Sequence, residues 1–125
     1  MGTWKPTSEE EILEEINAAW RRMSIPQRRL WETISIEPEK WQQHPWGDEG
    51  SGFWAVAILG RTVVWYNDIE DGFNRSHFSK WGEVREYLCN QDELEWTVQH
   101  LLEEIRDGYP SGGDFGPPEP VAQSE

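Results

Sequence analysis

The sequence predicts an α+β fold: an antiparallel β-meander of four to five strands, with N- and C-terminal helices packed on one face. Three observations carry that prediction. First, Phe53 to Leu59 is an unbroken apolar run of strand length with two apolar sides, so it belongs in the middle of a sheet. Second, Gly60-Arg61 supplies a two-residue connection with glycine first, as a type II′ turn prefers, and Thr62-Val63-Val64-Trp65-Tyr66 returns with β-branched and aromatic residues. Third, helical periodicity lies at both ends of the chain and strand patterning between them, the order of an α+β domain with sequential strands paired.

The first helix has a clear start. Thr7 and Ser8 precede Glu10 and Glu11 at capping-box spacing, and the early glutamates suit the positive end of the helix dipole. Ile12, Ile16, Ala19, Trp20 and Met23 form its apolar stripe, and Glu11, Glu14, Glu15 and Ala18 lie off it. Arg21 and Arg22 close the helix, and Arg28 and Arg29 follow in a short helical turn that begins near Pro26. This arginine cluster reads as neutralising the protein's own glutamates rather than as a phosphate or acidic-peptide site.

Trp31 to Glu37 alternates as a half-buried strand that Pro38 ends. Glu37 to Gly52 is rich in Pro and Gly and reads mostly as a loop, the longest internal one, carrying Trp41, His44 and Trp46. Along Phe53–Leu59, alternation sets Phe53, Ala55, Ala57 and Leu59 on one side and Trp54, Val56 and Ile58 on the other. The hairpin ends in a turn with three carboxylates, Asp68, Glu70 and Asp71, before Gly72. Phe73–Phe78 is a third return strand, and Glu83–Leu88 alternates as a further one. Asn90 then caps the last helix, with Glu93 at the capping-box position and a stripe of Leu94, Val98, Leu101, Leu102 and Ile105. Trp96 points away from that stripe. Gly108 stops the helix. Residues 1–107 therefore form a single domain, and 108–125, dense in Gly and Pro, read as a disordered tail.

Composition limits function. The chain has 125 residues, 24 Asp and Glu against 11 Lys and Arg, and a formal net charge of −13, which repels nucleic acid and anionic membrane alike. One cysteine excludes an internal disulfide and points to a reducing compartment. The N-terminus carries neither a secretory signal nor a myristoylation pattern, and no apolar run approaches the roughly eighteen residues needed to span a bilayer, so a cytoplasmic location is expected. Nine tryptophans exceed what a small domain buries comfortably, and tryptophan is enriched at interface hot spots.

Catalytic and cofactor motifs are absent from the sequence. Neither a G-x-G-x-x-G nor a Walker pattern occurs. Aligning Gly72 with the EF-hand glycine places Ile69 and Phe78 at ligand positions, where neither side chain coordinates calcium. His44, His77, His100 and Cys89 lack metal-ligand spacing. Ser76 and His77 are strand neighbours pointing to opposite faces, so they do not readily hydrogen-bond as nucleophile and base, and Asp68, Glu70, Asp71 and His77 read as a hydrated turn rather than as acid/base machinery. No cofactor is indicated. In general character the chain resembles small, acidic, aromatic-rich bacterial proteins that neutralise toxins or nucleases, a likeness of composition.

Two functional expectations follow. The first is a non-enzymatic domain, monomer or homodimer, that binds a basic protein partner through Asp68, Glu70, Asp71 and Trp96. The second is a small-ligand domain or enzyme with a pocket between the sheet and the Trp41–Trp46 loop, where His44 or His77 serves as acid or base.

Overall fold

The computed structural model describes residues 4–108 and 116. In chain order the elements are α1 (Glu9–Arg22), α2 (Ile25–Ile34), β1 (Ser35–Trp41), β2 (Phe53–Leu59), β3 (Thr62–Asn67), β4 (Gly72–His77) and α3 (Leu94–Asp107). The four strands form one antiparallel sheet in the order β1-β2-β3-β4. The α+β meander is as predicted, and the strand count is four among the described residues. The expected tail, 108–125, lies outside them except for Gly108 and Gly116.

α1 starts at the predicted cap. The Ser8 hydroxyl accepts from Glu11 N–H while the Glu11 carboxylate accepts from Ser8 N–H, satisfying two N-terminal donors at once. α2 repeats the device with Ser24 and Gln27. It is longer than the predicted turn and takes in Trp31 to Ile34, because Gln27, Trp31 and Ile34 recur at helical spacing and are all buried. β1 in turn runs through Pro38 instead of ending there. The register against β2 shifts between Ser35 and Glu39, and on an edge strand a proline's missing N–H breaks no ladder.

A bulge in β2 overturns the predicted alternation. Ala55 pairs with Trp65 and Ala57 with Val64, so Val56 is the extra residue. Val56 and Ala57 both face the helices, whereas Phe53 and Ala55 face the opposite layer. At the hairpin tip Gly60 has φ 60°, as its turn position requires.

The three helices cover one face of the sheet. Ile12, Trp31, Val98 and Leu101 pack there against Val56, Val64 and Phe73. Ile105, expected in the α3 stripe, is 57% exposed, while Glu95 and Thr97 are buried instead. Glu95 is buried because Arg22 meets it with two hydrogen bonds, of 2.7 and 3.0 Å, which tie α3 to α1. Burial alone would raise the Glu95 pKa, but the hydrogen bond and charge of Arg22 prevail and hold it below its ordinary 4.5. A carboxyl with a depressed native pKa contributes stability above its unfolded pKa and loses it as the pH falls through the native one. Glu95→Gln is therefore expected to lose about 1–2 kcal/mol near pH 7, discounted for the half-exposed arginine. Denaturant titrations should show this gap narrowing as the pH falls below 4.5 and through the native pKa; a gap that does not narrow on acidification contradicts the ion-pair account.

The other face is covered by chain without regular structure. Val84 and Tyr87 lie against Trp41, Phe53, Val63 and Trp65. Glu83–Leu88 is thus not a strand of the sheet: only an isolated bridge joins Glu83 to Gln42. Buried side chains of the sheet replace a ladder. Ser76 Oγ donates to Glu86 O (2.9 Å), Asn67 Nδ2 to Leu88 O (2.9 Å) and Asn74 Nδ2 to Asn90 O (3.1 Å), while Asn74 Oδ1 accepts from Asn90 N–H (2.8 Å). Asn90 is consequently a buried partner of β4 and not the cap of α3, whose N-cap is Glu93. α3 ends at Gly108 with φ 83°, as predicted.

Candidate functional site

The segment preceding α1 is strapped across the sheet. Asp68 Oδ2 accepts from Thr7 N–H (2.8 Å), Asp68 O accepts from the Trp4 indole N–H (3.0 Å), and Thr7 O accepts from the Trp54 indole N–H (2.7 Å). Burial pushes the Asp68 carboxyl above its ordinary value, against the Thr7 N–H and the Lys40 ammonium, which favour its charge. Lys40 spans the strap and the following loop: its ammonium donates to Gly50 O and Gly52 O and lies 5.1 Å from the centre of the Trp54 ring. Burial lowers its pKa.

Between this strap, the polar face of α1 and the β3–β4 turn lies a trough. Its middle compartment, about 940 Å³, is walled by Glu10, Glu11, Glu14, Glu15, Asp68 and Asp71, with Lys5 as its basic member. Glu15, Tyr66 and Asp71 also line a second compartment of about 320 Å³ that runs on to Asp92 and Glu93. Trp4 and Ile69 lead the other way, into an aromatic compartment of about 470 Å³ with Pro45, Trp46 and Glu49. Tyr66 lies at the junction of the two acidic compartments, its hydroxyl 3.4 Å from Asp71 Oδ1. Burial, reinforced by Asp71 and Glu15, drives the phenol pKa far upward, so Tyr66 is a neutral donor among carboxylates.

No family model, curated protein or solved structure matches this chain.

The trough gathers some of the residues expected to bind a partner and leaves out others. Asp71, held at φ 60°, faces both acidic compartments. Asp68 is buried and occupied by the strap, a structural anchor within the wall. Glu70 lines none of the three compartments; its N–H and that of Ile69 donate to Asn67 Oδ1 in the turn. Trp96 is 55% exposed on α3 and is likewise outside the trough.

Trp41, His44 and Trp46 do not converge. Trp41 is fully buried at the end of β1, in T-shaped contact with Phe78 and 5.0 Å from Trp81, and it shares the Glu39 carboxylate with Trp81 as hydrogen-bond acceptor. His44 is exposed and paired with Asp48 at 2.7 Å. Trp46 stacks on Tyr87 at 4.8 Å and lines the aromatic compartment. His77 stands at the exposed end of β4, and the Ser76 hydroxyl is engaged by Trp65 and Glu86. Among the described residues no group of three or more His, Cys, Asp or Glu is placed to hold a metal ion. Nor is any described helix long and apolar enough to cross a membrane.

Sequence reasoning overlooked the contribution of α1. Glu14 and Glu15 were legible as an off-stripe acidic face, but nothing in the sequence links that face to Asp71. Two of the four clustered arginines are internally engaged: Arg22 pairs with Glu95, and Arg28 donates to Trp20 O with its guanidinium 5.1 Å from the centre of that ring.

Proposed function

We propose that the chain is a non-enzymatic binding protein of the inhibitor or immunity type, which receives a basic segment of a partner protein in the acidic trough. The observation that carries this reading is the convergence of carboxylates from α1 and the β3–β4 turn on one preformed concavity. A cleft lined by one sign of charge focuses the field and speeds encounter with the opposite sign, and the net charge of −13 adds to it at long range. The strap and the capped helix fix the walls before binding, which lowers the ordering cost of association.

The test compares the wild type with a Glu10→Gln, Glu14→Gln, Glu15→Gln, Asp71→Asn variant. All four side chains are exposed, and asparagine tolerates the positive φ at position 71. A partner is captured from lysate of the native cell at low salt and identified by mass spectrometry, and its association rate with each protein is then measured against ionic strength. The variant is expected to associate about tenfold or more slowly with a flattened salt dependence. Glu70→Gln, outside the trough, should change little. Equal rates for the two proteins, or an empty column at every salt concentration, refute the assignment.

A further inference from the structure

We propose that the aromatic compartment of the trough is a receptor for an arginine side chain of the partner, with the guanidinium held on the Trp4 and Trp46 rings and paired with Glu49. This inference rests on the binding reading above and names the chemistry at one end of it.

Both indoles are fixed from behind and open in front. The Trp4 N–H is committed to Asp68 O, and its ring closes on Gly50, where even a Cβ would come within 3.1 Å of Trp4 Cη2. Trp46 is backed by Tyr87 with an interplanar angle of 16°, and its backbone N–H donates to Gln43 Oε1. Held this way, Trp4 and Trp46 are still 40% and 41% exposed, and Ile69 beside them is 39% exposed. Rigid aromatic surface left open is costly in water and effective in binding, because little side-chain freedom remains to be lost.

The lining selects the occupant. Pro45, Ile69 and the two rings are apolar, and Glu49 is the one carboxylate in the compartment. A sugar would find few polar partners there. A purely apolar side chain would leave Glu49 unused and would have to enter from an acidic trough. A guanidinium suits both features: it is weakly hydrated, stacks flat on aromatic faces and pairs bidentately with a carboxylate. Lysine, a compact and strongly hydrated charge, suits the apolar walls less well. The fold already places cations over indoles at Lys40–Trp54 and Arg28–Trp20.

The probes are acetylated pentapeptides, Gly-Arg-Arg-Arg-Gly and its lysine, citrulline and leucine counterparts, titrated into the full chain with ¹⁵N-detected indole and backbone signals. The arginine peptide is expected to shift the Trp4 and Trp46 indole signals and to bind more tightly than the lysine peptide, with the citrulline and leucine peptides weakest. Trp46→Leu and, with less risk to the fold, Glu49→Gln should each weaken arginine-peptide binding by about 3- to 30-fold. Equal binding of the citrulline, leucine or lysine peptide overturns the guanidinium assignment. If shifts fall only on the glutamates of α1 and both variants bind normally, the aromatic receptor is refuted while the acidic-trough reading stands. If no basic peptide binds anywhere, both readings fail.

Discussion

Replacing Gly72 with alanine is expected to destabilise the fold by about 3 kcal/mol or more, a large loss for one added methyl group. Gly72 opens β4 where the segment before α3 crosses it. A Cβ there would lie 2.3 Å from Gln91 Cα, 2.4 Å from Asn90 O and 2.7 Å from Gln91 C. All three are backbone atoms, so no side chain can swing aside. The segment is also pinned on both sides of the contact, by Phe73 N–H donating to Asp92 O and by the two hydrogen bonds between Asn74 and Asn90. Relief therefore means breaking buried hydrogen bonds or displacing β4 from β3.

Gly60→Ala provides the contrast. Its Cβ would meet nothing within 4 Å, but φ is 60°, so its cost is conformational and about 1 kcal/mol. Denaturant midpoints for the two variants separate these causes. A Gly72→Ala protein as stable as Gly60→Ala would mean that the segment at 90–92 does not rest against the strand as described.

Trp65→Ala should cost about 3–5 kcal/mol, the range for deleting a buried large aromatic. Trp65 has no exposed surface and lies at the centre of the layer opposite the helices, 4.9 Å from the Phe53 ring and 6.0 Å from Tyr87. Its indole N–H donates to Ser76 Oγ, which passes a hydrogen bond on to Glu86 O. The substitution thus opens a cavity and also loosens the link between β4 and the covering segment. Trp65→Phe keeps most of the ring but loses the donor, and its expected cost is about 1–2 kcal/mol. Equilibrium unfolding followed by far-UV circular dichroism measures both. An alanine variant within about 1 kcal/mol of the wild type would show that this layer adds little to stability.

Local chemistry was legible wherever neighbours in sequence decide it. The Ser8–Glu11 box, the glycine turn at Gly60, the stop at Gly108 and the central position of β2 depend on residues a few positions apart, and each is found as expected. The errors fall where distant residues compete. Trp31–Ile34 alternates well enough for a strand, but burial of Trp31 and Ile34 against the other helices and the sheet keeps it helical. Asn90 has the composition of a cap, yet Asn74, sixteen positions away, takes its backbone. The bulge at Val56 leaves no mark in the run Phe53–Leu59, because every residue there is apolar on either face.

The site divides in the same way. An acidic surface, an acidic face on α1 and an acidic turn after β3 are properties of the sequence itself, since charge and helical periodicity need no tertiary partner. That these faces meet in one trough, that Asp68 is consumed as the anchor of the strap, and that Trp41 is buried while Trp4 and Trp46 line a common compartment were decided only by the tertiary structure. The reason is physical: hydrogen bonds such as Thr7 N–H to Asp68 and the Trp54 indole to Thr7 O close across 61 and 47 residues, and their geometry exists only once the sheet has formed beneath them.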